Sequence, residues 1–94
     1  MERTVTGMVH ELKIKECFAD AIMAGDKTFE IRKNDRGYQK GDTVYFEAVD
    51  KNGICIRHTI NEEVFRITYV MSGWGLEPGF VVFGIKREEG YGCG

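Results

Sequence analysis

One stretch of this 94-residue chain, residues 15–24, repeats its apolar residues at helical spacing, while the other structured stretches alternate or, at 80–85, are apolar throughout. Phe18, Ala21, Ile22 and Gly25 fall at i, i+3, i+4 and i+7, one face of an amphipathic helix, and Gly25 suits the left-handed residue that ends it. Ahead of the helix, His10, Leu12 and Ile14 alternate with Glu11 and Lys13 as a short first strand. Behind it, residues 28–33, 44–48, 54–60, 64–71 and 80–85 carry strand patterns separated by turn residues. One helix and six short strands predict a mainly β, α+β domain: a small, mostly antiparallel barrel or a strongly bent sheet. Closure would also cover the edge that the apolar run 80–85 offers to another chain.

The strand after the helix is the chemically dense one. Period-two alternation sends Phe29 and Ile31 toward the core and gathers Thr28, Glu30 and Arg32 on the other face. Lys27 stands at its mouth, and Asn34, Asp35 and Arg36 leave it in a turn-prone run. A carboxylate flanked by cations is either a solvated ion pair on an edge strand or a ligand site. Further on, Asp50-Lys51-Asn52-Gly53 signals a hairpin, and Ile54, Ile56 and Ile60 share a face with His58, which reads as a partnered, half-buried histidine. Phe65, Ile67 and Tyr69 line up toward the core, and the run 80–85 reads as a strand covered on both faces. Residues 72–79 form an irregular loop holding the only tryptophan, Trp74, and the only proline.

Composition bounds the rest. A single domain over residues 9–86 is expected, with an N-terminal arm at 1–8 and a flexible tail at 87–94. No apolar run approaches the roughly 20 residues of a membrane helix, and residues 1–7 lack a signal-peptide core, so a cytoplasmic location is expected with no membrane partner. Cys17, Cys55 and Cys93 are too far apart for a zinc motif; they read as thiols, the first two near the core and the third on the tail. Neither a metal nor a cofactor is indicated. The net charge is −2, yet residues 27–40 alone carry +3, leaving −5 for the remainder. A small positive site on an acidic body suits a compact anionic ligand better than a long duplex.

The run Gly25-x-Lys27-x-x-Glu30-x-Arg32 after a short helix resembles the signature of the ASCH superfamily, whose barrel is related to the PUA domain. The chain is similar above all to small bacterial and phage proteins of that superfamily in His10-x-Leu12-Lys13-Ile14, in the block 27–36 and in Gly41-Asp42. It also matches in Val70, Gly75-Leu76 and Gly79-Phe80-Val81-Val82. The resemblance covers residues 9–86. It implies a PUA-like antiparallel barrel with the helix packed over one opening, and RNA, a nucleotide or a modified nucleoside held in a cleft beside that helix. A similar amidohydrolase branch acts on N4-acylated cytidine with a lysine, a threonine and a glutamate. Its lysine aligns with Lys27, but Glu30 stands where it has the threonine, so the hydroxyl nucleophile is missing here.

The residues themselves fit binding. Lys27 and Arg32 can hold phosphate or carboxylate, Arg32 through two parallel hydrogen bonds. Glu30 can accept from an exocyclic amine. His10, if its strand lies beside the helix start, can carry a proton near neutral pH. Lys27, Glu30 and His10 are therefore the candidates for any catalytic role. Lys13, Asn34, Asp35 and Arg36 complete the candidate binding set, with Asn34 and Asp35 favoured as turn-fixing residues. Tyr69 and Trp74 are aromatics on which a base can stack. Three functions stay open: a nucleotide- or RNA-binding module, a small hydrolase using Lys27 and Glu30, and a protein-interaction module of phage or bacterial type.

Overall fold

The computed structural model describes residues 7–88. Its elements are β1 (Val9–Lys15), α1 (Glu16–Met23), β2 (Phe29–Lys33), β3 (Thr43–Val49), a short 3-10 helix (Thr59–Glu62), β4 (Phe65–Ser72) and β5 (Phe80–Arg87). The five strands form one sheet in the order β1-β3-β4-β5-β2. The domain is mainly β with a single α-helix among the described residues. The predicted arm and tail, and Cys93, fall largely or wholly outside those residues.

The helix ends where its sequence says. Gly25 takes φ +86°, its N–H donates to the Ile22 carbonyl, and the Asp26 N–H donates to Ala21. This pair of bonds is the Schellman closure, which a glycine enters without steric cost. The buried face differs from the expected one: Ala19 and Ile22 are buried and Met23 packs beside them, whereas Phe18 is exposed. The helix leans on β1, β3 and the 3-10 turn.

The sheet is mostly antiparallel, as expected, with one parallel pair and one predicted strand missing. β1 runs parallel to β3, with α1 and β2 serving as the crossover that a parallel pair requires. The predicted strand 54–60 does not form; a lone bridge joins Val49 to Cys55. There the Asn61 side chain replaces the ladder, accepting from Ala48 N–H at 2.8 Å and donating to the Ile56 carbonyl at 2.9 Å. The chain then turns into the 3-10 helix, capped by His58 Nδ1, which accepts from Ile60 N–H. His58 is half-buried and partnered as expected, its Nε2 lying 2.7 Å from Asp20 Oδ1. The hairpin turn is present, with Asp50 Oδ1 accepting from Asn52 and Ile54. Cys17 and Cys55 are both exposed, not near the core.

β4 holds a bulge. Ile67 faces Ile85 and Tyr69 faces Gly84, so two steps on β4 answer one on β5 and Thr68 is the extra residue. The extra residue reverses the alternation, which puts Tyr69 outside (64 % exposed) although it is in step with buried Phe65 and Ile67. The sheet accommodates this only because residue 84 is glycine: a Cβ there would lie 2.6 Å from Thr68 Oγ1. Gly84→Ala is accordingly expected to cost about 1 kcal/mol, and Thr68→Ala in the same chain to recover most of it. Paired urea melts measure both; additive losses would contradict the contact.

The core gathers Leu12, Ile14, Val44, Phe46, Ile60, Phe65, Ile67, Val81, Phe83 and Ile85 beneath the helix. β5 contributes only alternate residues, Val81, Phe83 and Ile85, so just one of its faces is covered.

Candidate functional site

β2 is inverted relative to its apolar pattern. Its inner residues are Glu30, only 4 % exposed, and half-buried Arg32, in register with Phe83 and Val81. Phe29 and Ile31 lie outside, 42 % and 51 % exposed. Alternation defines two faces but does not say which one meets the core. Here the inner positions border the gap between β2 and β1, the two ends of the sheet, where charged groups find partners. Ile31→Ser should then change stability by less than about 0.5 kcal/mol in a urea melt. A loss of several kcal/mol would place Ile31 back in the core.

Both oxygens of Glu30 are engaged, Oε2 by Lys27 Nζ and Oε1 by Arg32 Nε at 2.9 Å. Lys27 Nζ also donates to the Phe29 carbonyl at 2.6 Å and lies 5.2 and 5.0 Å from the Phe18 and Phe29 ring centroids. The opposite edge of the sheet is reached by guanidinium groups. Arg32 Nη2 donates to the Lys13 carbonyl at 2.8 Å, and Arg36 Nη1 to the Glu11 carbonyl at 3.2 Å. The hydrogen-bonded ladder itself is open, and these two arginines span its ends. Carbonyls two residues apart on one strand are roughly 6.6 Å apart, so the two guanidinium groups sit side by side along β1.

Tyr38 lies behind them. Its ring is 4.7 Å from both His10 and Phe83, centroid to centroid. Burial pushes its phenol above the ordinary tyrosine value despite the opposing pull of Arg32 and Arg36. The hydroxyl therefore stays a proton-bearing group beside the cations. His10 is 3 % exposed and its Nε2 is 2.7 Å from Asp42 Oδ2. Asp42 also accepts from Met8 N–H and Gln39 N–H, each at 3.0 Å. Burial raises the Asp42 carboxyl, but the hydrogen bonds from His10, Met8 and Gln39 outweigh it and hold the pKa below the ordinary aspartate value.

Lys27, Glu30, Arg32 and Arg36 thus come together, with His10 one ring further in. Of Lys13, only the backbone carbonyl takes part; its side chain lines a separate groove of about 380 Å³ with Tyr45, Glu47 and Asn61. Asn34 fixes the turn, its Oδ1 accepting from Tyr38 N–H, and Asp35 is exposed beside it. Tyr69 faces outward, and Trp74 is 87 % exposed in the β4–β5 loop. Tyr38 and Asp42 did not stand out from sequence as site residues. The available signals were an aromatic alone in the polar run 34–43 and an aspartate opening a strand.

A second groove, about 330 Å³, runs from the end of α1 past Lys27. Ile22, Met23, Phe65 and Ile85 form its apolar lining, and Lys27, Lys86 and Arg87 supply its charges. Among the described residues no group of three or more His, Cys, Asp or Glu is placed to hold a metal ion, and no helix is long and apolar enough to cross a membrane.

Residues 9–85 match a family described as "Domain of unknown function (DUF3850)". The chain is also 42% identical over 36 residues to an "Uncharacterized 12.9 kDa protein in GpA 3'region" of Escherichia phage P2. That match takes in 38% of this chain and 33% of the phage protein, so it spans about a third of that relative's length.

Proposed function

The chain belongs to the DUF3850 family, and from the chemistry of its own site we propose that it is a binding module for a nucleotide, a modified nucleoside or an RNA segment, of the ASCH, PUA-like type. One observation carries this reading: Arg32 and Arg36 stand side by side on the β1 edge, while Glu30 is shared between Lys27 and Arg32. Lys27, Arg32 and Arg36 against Glu30 and Asp35 leave a net positive recess. Arg36 spends one of its five donors on Glu11 and Arg32 spends two, so both retain donors for a phosphate. The groove beside Lys27 offers apolar surface for a base and further cations, in a volume at the lower end of small-ligand sites.

The arginine bridges between the end strands also support reading the bent sheet as a PUA-like barrel, completed by side chains where the backbone ladder stops. A cytoplasmic role accords with this reading. Hydrolysis is less well supported, because Glu30 is committed to two cations and His10 is enclosed with Asp42.

Arg36→Ala tests the proposal cleanly, since the side chain is exposed and makes one hydrogen bond to a carbonyl. In calorimetric titrations with nucleoside monophosphates, modified nucleosides and short RNAs, the variant should bind the best ligand at least about tenfold more weakly. Its melting temperature should stay nearly unchanged. Equal affinity in the two proteins would refute the site.

A further inference from the structure

We propose that the outer face of β2, β5 and β4 is a docking surface for single-stranded nucleic acid, with an aromatic slot that takes one base between Phe29 and Tyr69. The register builds the slot. Phe29 on β2 and Tyr69 on β4 are both paired with Gly84 on β5, and both rings are exposed. Two inter-strand spacings set their backbones roughly 10 Å apart. A planar ring inserted between two others needs roughly 3.5 Å on each side. Gly84 has no side chain to fill the gap, and its neighbour Thr68 places a hydroxyl over the missing Cβ, which gives the floor a hydrogen-bonding group.

The surroundings select an anion. Next along the face lie Ile31, Val82 and Met71, also in register, and then Lys33 and Phe80. At the other end Arg66 pairs with Lys86. Every charged side chain at these outer positions is a cation. Arg66 is bridged by Glu88, whereas Lys33 and Lys86 form no ion pair among the described residues. Lys27 Nζ sits over the Phe29 ring at the slot's edge. An outer strand face whose charged residues are Lys33, Lys86 and Arg66, set beside exposed aromatics, is complementary to a phosphate backbone carrying stackable bases. A second copy of the chain would bring cations against cations. The hairpin joining β4 and β5 adds Trp74, held in the left-handed region at φ 54° between Gly73 and Gly75 and exposed. A bulky residue takes that conformation at a cost.

The slot itself excludes Arg32 and Arg36, while Lys27 borders both sites. The test is fluorescence anisotropy with labelled 12-nucleotide single strands of RNA and DNA, and the same sequence as a duplex, at low and moderate salt. Wild type should bind the single strands, more weakly as salt rises, and bind the duplex much less. Tyr69→Ala and Phe29→Ala should each weaken binding by about tenfold, with Tyr69→Phe retaining it. Tyr45→Ala, an exposed aromatic on β3 outside the slot, should change nothing. An excess of nucleoside monophosphate, which fills the Arg32–Arg36 recess, should leave the Tyr69-dependent part of this binding in place, which separates the face from the recess. No single-strand binding, equal binding of duplex, or indifference to Tyr69→Ala would overturn the proposal. So would sedimentation showing that Tyr69→Ala instead breaks a homodimer, because the face would then belong to a second copy.

Discussion

Replacing Asp42 with alanine should lower stability by about 3 kcal/mol at neutral pH, the largest loss expected from any single polar side chain here. The carboxylate is buried and ties three segments together: the Met8 amide ahead of β1, the Gln39 amide in the loop before β3, and His10 within β1. Alanine leaves all three donors to find new partners in a space closed to water. Acid should produce the same effect gradually. Because the folded Asp42 pKa lies below its ordinary 3.8, its stabilisation is fully present above that value and fades as pH falls through the folded one. Urea melts at pH 7 and in acid should therefore show the gap between wild type and Asp42→Ala closing as pH drops. A gap independent of pH would mean that the charge contributes nothing.

The second large effect is at Glu30. Glu30→Ala should cost about 2 kcal/mol, less than Asp42→Ala because Lys27 and Arg32 are partly reached by solvent and can rehydrate. The same change should displace Arg32 from the Lys13 carbonyl, since Glu30 Oε1 anchors its Nε. Ligand affinity should fall with it, through lost positioning of the two cations. Glu30→Gln, which keeps the shape and one acceptor, should recover part of the stability. Calorimetric melts of the two variants compare these losses directly. Wild-type stability in Glu30→Ala would show that the carboxylate faces water.

Buried Glu30 beside exposed Ile31 marks the boundary of what local sequence can specify. Period two locates a strand at 28–33, and Gly25 locates the helix end before it, because both depend on local backbone geometry. Which face of β2 turns inward depends on what lies across the gap, namely the β1 carbonyls at Glu11 and Lys13, and no local pattern carries that. Tyr69 is a similar case: its outward position follows from one inserted residue at Thr68 and a glycine on the neighbouring strand. The predicted strand at 54–60 fails because Asn61 supplies through its side chain the bonds a ladder would have made. The cationic block itself was legible, since its charge surplus is a property of residues 27–40 alone.

The proposed anion-binding recess of Arg32 and Arg36 on the β1 edge is open to direct observation. Side-chain NMR of the arginine Nε–H groups during titration with a nucleoside monophosphate tests it most directly. The Arg32 and Arg36 signals should shift together and saturate at one ligand per chain, while Arg66, on the opposite face, stays still. Static Arg32 and Arg36 signals at ligand concentrations that move other residues would contradict it.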